Sequence, residues 1–314
     1  MSKSKNITVI VNKSWETEPL LNAMTNQTLT TKNPLVSHLL PFPSEFNSPK
    51  NLKDTNADNR TSIRARFQLS NPDNDTILNI AVWCIEDLMD PTKSSSSSEE
   101  KYKVLPLALV DSPDLVISVS TANCPYDDSM NDSMNGSVLI GAKSFLYNGC
   151  PGNKESNLNP DDINQLLPSN VNADMFALID KTFNAVVTAN FLTPPNSPAN
   201  PFECKASNDL SVVSSINVTD YTMYTKVDED ARNEFNAVVG KDPDTIETTH
   251  GVVKISTEVP IIFISPVTDR FGHFGDDVSS LQNYVAAFNG GVVLRELLWS
   301  LYTFVDNGNE FAKK

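Results

Sequence analysis

Residues 260–274 read PIIFISPVTDRFGHF and join an apolar run to a polar end. Residues 261–267 are almost wholly apolar, which is typical of a strand buried on both faces of a parallel sheet. Three polar residues follow at once, namely Thr268, Asp269 and Arg270. Ligands of open α/β sheets bind beyond the carboxyl ends of the strands. The end of this strand is therefore a candidate functional site.

Buried strands and helical segments alternate along the rest of the chain. Apolar runs predict further strands at 7–11, 115–119 and 184–191. Two more runs, at 63–69 and 77–85, predict a hairpin. Helices are predicted from residue 15, at 172–183 and in the closing run to 305. We therefore expect an α/β fold, a three-layer sandwich around a central mixed sheet. One domain would span 1–314, with loop insertions at 32–60, 92–100 and 192–226. Gly290 and Gly291 in the last helix predict a kink or a close packing contact.

Composition excludes several classes of partner. The formal net charge of -15 over 314 residues argues against a nucleic-acid or anionic-membrane surface. No stretch approaches the ~20 apolar residues of a membrane span, and the first residues lack a secretory apolar region. The cysteines are widely spaced and suggest reduced thiols in a cytoplasmic protein, at Cys84, Cys124, Cys150 and Cys204. Neither nucleotide-binding loops nor zinc motifs occur, so we expect no cofactor and no metal.

Candidate site residues follow two of the predicted strands, and one more lies within a third apolar segment. Ser120 and Thr121 come after 115–119, where hydroxyls and backbone N–H groups could hold a ligand, although a self-satisfied polar turn is the simpler interpretation. Glu247 lies in IETTHGVV, where it could hydrogen-bond a sugar hydroxyl pair or begin a solvated helix. Asp269 could be a general acid if burial raises its pKa, with Arg270 orienting it. On its own it could equally be a helix cap or part of a surface ion pair.

Four segments in this order resemble the nucleoside phosphorylase superfamily, and the resemblance covers nearly the whole chain. The first two segments are PDLVISVSTA (113–122) and IETTHGVV (246–253). FISPVTDRFG (263–272) and NYVAAFNGGVVLRELL (283–298) complete the set. Glu247 and Asp269 lie 22 positions apart (269 − 247), close to the separation of the ribose-binding Glu and the catalytic Asp of that family.

The resemblance implies a role for each matching position. Glu247 would bind the ribose 2′ and 3′ hydroxyls, and Asp269, beside Thr268, would protonate N7 of a purine as the glycosidic bond lengthens. Phe191 would stack on the base. Ser120 and Thr121 would line the loop beside the substrate. Glu16 or Glu18 would activate water, as a second carboxylate does in the nucleosidase branch.

The resemblance leaves three functions open. Phosphorolysis needs fixed positive charge for phosphate, but this chain has Ser118 where bacterial purine phosphorylases carry an arginine. Hydrolysis of a purine nucleoside is therefore favoured, while phosphorolysis remains an alternative because Arg60, Arg64 or Arg66 could reach the site. Glycines of the family's ligand loop are also replaced, which allows a non-catalytic nucleoside-binding or storage protein. We expect a nucleoside partner, with phosphate only for a phosphorylase, and a homo-oligomer.

Overall fold

In the computed structural model, strand β12 (Ile261–Arg270) occupies the centre of a mixed sheet. The structure describes residues 3–26, 63–70, 75–93, 97–124, 134–147, 158, 160–195, 202–215, 221–270 and 280–313. The other strands are β1 (Lys3–Val11), β2 (Ile63–Ser70), β3 (Thr76–Cys84), β4 (Leu115–Val119), β5 (Ala122–Cys124), β6 (Val138–Gly141), β7 (Lys143–Tyr147), β8 (Leu166–Pro168), β9 (Cys204–Ala206), β10 (Ser211–Ser215) and β11 (Thr245–Glu247). The helices are α1 (Ser14–Thr25), α2 (Ser98–Ala108), α3 (Lys181–Thr188), α4 (Tyr221–Val239), α5 (His250–Ile255) and α6 (Ser280–Asp306), with short 3-10 turns at Pro160–Asp162 and Ala173–Leu178.

The strands that the sequence predicted as most buried lie side by side. Across the described residues the order is β2-β3-β1-β4-β12-β5-β11-β10-β7-β8, with β6 paired to β12 and to β9. β1, β4 and the first half of β12 run parallel, whereas β6 runs antiparallel to β12. The second half of β12 pairs with β5. The central mixed sheet and the β2–β3 hairpin are thus confirmed.

Helices cover both faces of this sheet. On β1, Ile7 and Val9 pack in one hydrophobic cluster with α1, α3 and α6. Ile10 points to the other face, into a second cluster with α2 and α5. Alternate residues of one strand therefore enter different cores, as the pleat of a strand requires, and the three-layer α/β architecture is confirmed. No helix in the described ranges is both long and apolar enough to cross a membrane.

Gly290 and Gly291 allow α6 to pack closely against its neighbours. A Cβ atom at position 291 would lie 2.8 Å from the Cβ atom of Ala23, and one at position 290 would lie 2.5 Å from Cγ of Pro266. Real Cβ atoms do not come so near, and α6 continues as one helix through this point. The predicted close contact is confirmed, and it brings α1 against α6 beside β12.

Four local predictions from the sequence were wrong in whole or in part. A helix was expected at 172–183, but a 3-10 helix spans Ala173–Leu178 and α3 begins only at Lys181. Residues 184–191 were expected to form a strand, but Asp180 caps a helix by accepting hydrogen bonds from the backbone N–H groups of Thr182 and Phe183. The loop expected at 92–100 ends earlier than predicted, because Ser97 caps α2 by accepting a hydrogen bond from the backbone N–H of Glu100. Capping side chains, rather than the composition of the segment, decide the last two cases.

The fourth prediction concerns 192–226, which was expected to be a loop insertion. It contains β9 and β10, and β10 lies inside the sheet between β11 and β7. The predicted insertion at 32–60 lies outside the described residues. Cys84, Cys124 and Cys204 are buried thiols outside any disulfide, and Cys150 lies outside the described residues.

Candidate functional site

The carboxyl ends of β1, β4 and β12 meet at one edge of the sheet. Val119 on β4 pairs with Val11 on β1 and with Ile264 on β12. The chain leaves β1 into α1 and leaves β4 into Ser120 and Thr121. Residues from the first turn of α1 and from the segment after β4 are therefore brought beside the second half of β12.

Strand β5 lies between the strands that carry Glu247 and Asp269. Asn123 pairs with Asp269 on one side and with Ile246 on the other. Because neighbouring strands are ~4.8 Å apart, the Cα atoms of Ile246 and Asp269 are separated by roughly 10 Å. Glu247 follows Ile246 directly. The pair that the sequence spacing singled out is thus joined through one strand.

Glu16 lies in the first turn of α1 and is 2% exposed. Its Oε1 atom accepts hydrogen bonds from the backbone N–H of Thr121 at 2.7 Å and from the hydroxyl of Thr121 at 2.5 Å. Its Oε2 atom accepts a hydrogen bond from the backbone N–H of Lys13 at 2.7 Å. Burial raises the pKa of the Glu16 carboxyl to about 7, and the hydrogen bonds from Thr121 and Lys13 offset only part of this rise. The carboxyl can therefore gain or lose a proton near neutral pH.

Glu18, the other candidate on α1, has a different environment. It is exposed and lines a groove of about 450 Å³ between α1 and α6, with Trp15 and Tyr284. The structure brings Glu16 to Thr121 and leaves Glu18 on the surface.

Lys13 lies beside Glu16, and Glu86 contacts the next residue, Ser14; the sequence did not identify either Lys13 or Glu86. The backbone N–H and the hydroxyl of Ser14 donate to Oε2 of Glu86 at 2.8 and 2.6 Å. Burial lowers the pKa of the Lys13 ammonium, against the charges of Glu86 and Glu16, which raise it. The position of Lys13 in the turn after the first strand was the only signal in the sequence. Buried Lys13 and Glu16 and half-buried Glu86 thus place both signs of charge at the amino-terminal end of α1.

Asp269 and Thr268 are both buried at the end of β12. The hydroxyl of Thr268 donates a hydrogen bond to Oδ1 of Asp269. The side-chain amide of Gln282, at the start of α6, donates to the carbonyl of Thr268. A bulge between Val267 and Asp269 shifts the register against β5, and bulges of this kind redirect side chains at sheet edges. The side chain of Arg270 is outside the described part of the chain.

Glu247 is buried, and its carboxylate is held by the polypeptide that follows it. Oε1 accepts hydrogen bonds from the hydroxyl of Ser214 and from the backbone N–H of His250, the latter at 3.0 Å. Oε2 accepts a hydrogen bond from the backbone N–H of Thr249. A carboxylate has about four acceptor positions. At most one therefore remains for a ligand, fewer than the pair of ribose hydroxyls expected from the sequence requires.

His250 follows in α5 and is fully buried. Its Nδ1 and Nε2 atoms lie 2.7 Å from Oγ of Ser118 and 3.1 Å from Oγ of Ser265. The ring stacks on Phe263 with centroids 5.2 Å apart. Burial lowers the pKa of His250, although the charge of Glu247 raises it. The imidazole thus ties α5 to β4 and β12 through both ring nitrogens.

Phe191 belongs to the segment after α3, which is connected to β12 through Asn289. The Asn289 side chain accepts a hydrogen bond from the backbone N–H of Leu192 at 2.8 Å and donates to the carbonyl of Leu192 at 3.0 Å. The same amide donates to the carbonyl of Gly136 at 2.8 Å, and the N–H of Gly136 donates to the carbonyl of Val267 at 2.8 Å. This chain of contacts ends two residues before Asp269.

Asp228 is a further buried carboxylate at this edge. The side chain of Asn123 donates a hydrogen bond to Oδ2 of Asp228 at 3.2 Å. In the sequence Asp228 begins the acidic segment DEDARNEF, which looks like a solvated helix start. Only the tertiary structure reveals its burial. Within the described ranges, no three His, Cys, Asp or Glu side chains are grouped as metal ligands.

Comparison with known proteins identifies the fold. By sequence, neither a protein-family model nor a curated protein matches the chain. Among solved structures, it is similar to the 5′-methylthioadenosine/S-adenosylhomocysteine nucleosidase of Colwellia psychrerythraea in complex with adenine, with a TM-score of 0.53, 12% identity, and coverage of 96% of this chain and 97% of that one. The corresponding Campylobacter jejuni enzyme gives a TM-score of 0.51 at 10% identity and coverage of 94% and 98%. Arabidopsis thaliana 5′-methylthioadenosine nucleosidase gives 0.51 at 13%, with 98% of each chain covered. The predicted nucleoside phosphorylase-like fold is thus confirmed.

Proposed function

We propose that this protein hydrolyses the N-glycosidic bond of a purine nucleoside. The observation that carries the proposal is Glu16, a buried carboxyl whose pKa of about 7 lets it accept a proton at neutral pH. It is fixed by Thr121 on the sheet edge that also holds Asp269 and Glu247. The enzymes with a similar fold are nucleosidases of 5′-methylthioadenosine and S-adenosylhomocysteine, and one is bound to adenine. Their substrates support a purine nucleoside as the ligand here.

In the proposed reaction, two carboxyl groups move protons on opposite sides of the breaking bond. Ionised Glu16 takes a proton from water as the water oxygen bonds to C1′ of the ribose. Protonated Asp269 donates its proton to N7 of the base as the C1′–N9 bond breaks. The base leaves as a neutral molecule, and proton exchange with solvent returns both carboxyl groups to their starting states. General acid and base catalysis by such groups each contribute about 10²- to 10⁴-fold.

The remaining candidates bind or position the nucleoside. We assign one ribose hydroxyl to Glu247, because its carboxylate already accepts three hydrogen bonds from protein donors. In the proposed complex Phe191 stacks on the purine, and Ser120 and Thr268 lie beside the nucleoside. Thr121 uses both its backbone N–H and its hydroxyl on Glu16. The role of Thr121 is therefore to hold Glu16, the general base that activates water.

The pairing of two candidate arginines favours water over phosphate as the nucleophile. Arg64 donates from its NH2 group to Asp87 at 2.6 Å, and Arg66 is bonded to Asp111 at 2.9 Å. Ser118 faces His250 inside the protein. Arg60 lies outside the described residues. Two of the three arginines that could have bound phosphate are thus already paired with carboxylates, and a phosphate site needs fixed positive charge. The predicted homo-oligomer, single domain and cytoplasmic location stay predictions.

The decisive experiment follows release of free base from purified protein by chromatography. A panel of adenosine, inosine, guanosine and 5′-methylthioadenosine is incubated with and without inorganic phosphate. We expect base release without phosphate. Release that strictly requires phosphate would replace hydrolysis with phosphorolysis. Binding of a nucleoside without any release would leave a non-catalytic binding protein and overturn the proposed activity.

A further inference from the structure

Lys101 on α2 is fully buried, although lysine is rarely found inside a protein. Its Nζ atom donates hydrogen bonds to the carbonyl of Thr248, to the hydroxyl of Thr248 and to the hydroxyl of Thr249, each at 2.9 Å. An ammonium group has three N–H donors, and here all three meet oxygen atoms of one turn. Lys101 therefore hydrogen-bonds both residues that connect β11 to α5.

This same turn determines where the carboxylate of Glu247 points. Thr249 donates its backbone N–H to Oε2 of Glu247, and His250 donates its backbone N–H to Oε1. The turn thus receives hydrogen bonds from Lys101 on one side and supplies them to Glu247 on the other. Without the ammonium, three oxygen atoms would lose their donor in a buried region, which is costly enough to make the turn rearrange. Rearrangement would displace two of the donors that orient Glu247.

We propose that Lys101 is a positioning residue that orients Glu247 toward a ribose hydroxyl. This inference rests on the proposed nucleoside site. Lys101 acts through the Thr248–Thr249 turn and does not contact the nucleoside. Loss of Lys101 is therefore expected to weaken recognition of the sugar, while Glu16 and Asp269 still carry out the proton transfers.

The test compares Lys101→Met with wild type on adenosine, 2′-deoxyadenosine and 3′-deoxyadenosine. Methionine has a side chain of similar length without the ammonium. Lys103→Met is the matched control, because Lys103 lies on the same helix with its side chain 53% exposed. Wild type should prefer adenosine over the analogue that lacks the hydroxyl bound by Glu247. Losing a hydrogen bond to a charged group should reduce this preference about tenfold in Lys101→Met. Lys103→Met should keep it.

The ratio between substrates separates positioning from a merely structural role. A structural defect lowers the active fraction and reduces kcat/KM for all three nucleosides by one common factor, and this result would overturn the proposal. An unchanged preference would overturn it as well. Thr249→Val removes one oxygen that Lys101 contacts, so it provides a milder variant if Lys101→Met does not fold. We expect it to reduce the preference in the same direction. Adding Lys101→Met to Glu247→Gln should reduce the preference no further.

The same ratios are measured as dissociation constants by calorimetry, which needs no turnover. If adenosine binds without being cleaved and Lys101→Met still removes the preference, the positioning role stands while the proposed hydrolysis fails. If nucleosides are cleaved and the preference survives in Lys101→Met, the positioning role alone fails. If wild type neither binds nor cleaves any of the three nucleosides, both proposals fall.

Discussion

The carboxylate of Glu16 accepts a hydrogen bond from the backbone N–H of Thr121 at 2.7 Å, across 105 residues of sequence. This contact joins the first turn of α1 to the segment after β4. It also fixes a carboxyl group in a buried position where its pKa rises to about 7. Because this pKa differs from that of the unfolded chain, the protonation state of Glu16 is coupled to stability as well as to the proposed catalysis.

The first prediction is that hydrolysis depends on ionisation of Glu16. A general base must be deprotonated, so the acid limb of the kcat/KM profile should rise with pH through about 7, the value to which burial raises the pKa of Glu16. Glu16→Gln cannot accept a proton and should lower kcat by about 10²- to 10⁴-fold. Rate profiles between pH 5 and 9 check this expectation. Glu18→Gln, a change at an exposed site on the same helix, should keep the wild-type profile. Loss of the rise in kcat/KM with pH in that variant would contradict the assignment of Glu16 as the general base.

The second prediction concerns stability and follows from the same pKa. Burial raises the pKa of Glu16 from 4.5 to about 7, so the folded protein holds a proton that the unfolded chain releases. The resulting stabilisation is complete below about pH 4.5 and is lost as the pH rises through about 7. Relative to Glu16→Gln, the wild-type free energy of unfolding should fall by about 3 kcal/mol over this range. Urea unfolding at pH 5 and pH 8 measures it. Equal pH dependence in both proteins would argue against a buried neutral carboxyl.

The third prediction separates the role of Asp269 from that of Glu16. Asp269→Asn cannot protonate a leaving base, so kcat for a purine nucleoside should fall by about 10²- to 10⁴-fold. A 4-nitrophenyl riboside has a leaving group that departs as an anion without protonation. The same variant should therefore cleave it at close to the wild-type rate. Steady-state kinetics on the two substrates provide the measurement. Equal losses on both substrates would show that Asp269 supports the structure of the site and does not act as the acid.

Much of the fold could be predicted from the sequence because buried strands carry their signal locally. The apolar run of β12 and the alternating residues of β2 need no tertiary information to be recognised. Residues 184–191 were assigned wrongly because β-branched residues there suggested a strand. Phe183 and Val187 lie four positions apart and both are buried. That helical spacing, together with the cap at Asp180, was the signal that should have decided the assignment.

The site was less predictable because burial of a charged side chain depends on distant contacts. Glu16 and Glu18 stand in the same acidic turn, and only the contact with Thr121 distinguishes them. Asp228 and Lys101 lie in polar stretches that resemble solvated surface, yet both are buried. Each is identified by its partners in the folded chain, and no local pattern in one sequence records those partners.

The fourth prediction tests the stacking role of Phe191. Replacing its ring by Leu removes aromatic stacking, which is worth about 1 kcal/mol beyond the lost area, so KM should rise about fivefold with little change in kcat. Phe202→Leu is the matched control, because the centroids of the two rings lie 6.3 Å apart. That variant should leave KM close to wild type. If Phe202→Leu raised KM as much as Phe191→Leu, the aromatic pair would be acting as packing and the stacking role would be withdrawn.

The fifth prediction concerns Gly291, where the packing of α1 against α6 leaves no room for a side chain. Alanine normally favours a helix over glycine by about 1 kcal/mol. Here its Cβ atom would lie 2.8 Å from the Cβ atom of Ala23 and would also meet the backbone of Leu20. Overpacking costs about 1 to 3 kcal/mol, so Gly291→Ala should lower the free energy of unfolding in urea. Displacement of α1 would also move Glu16, which lies in its first turn. The pH at which kcat/KM rises should therefore shift as well. Thr303→Ala, an exposed change on α6, should alter neither quantity. A Gly291→Ala protein more stable than wild type would mean that helix propensity outweighs the close contact.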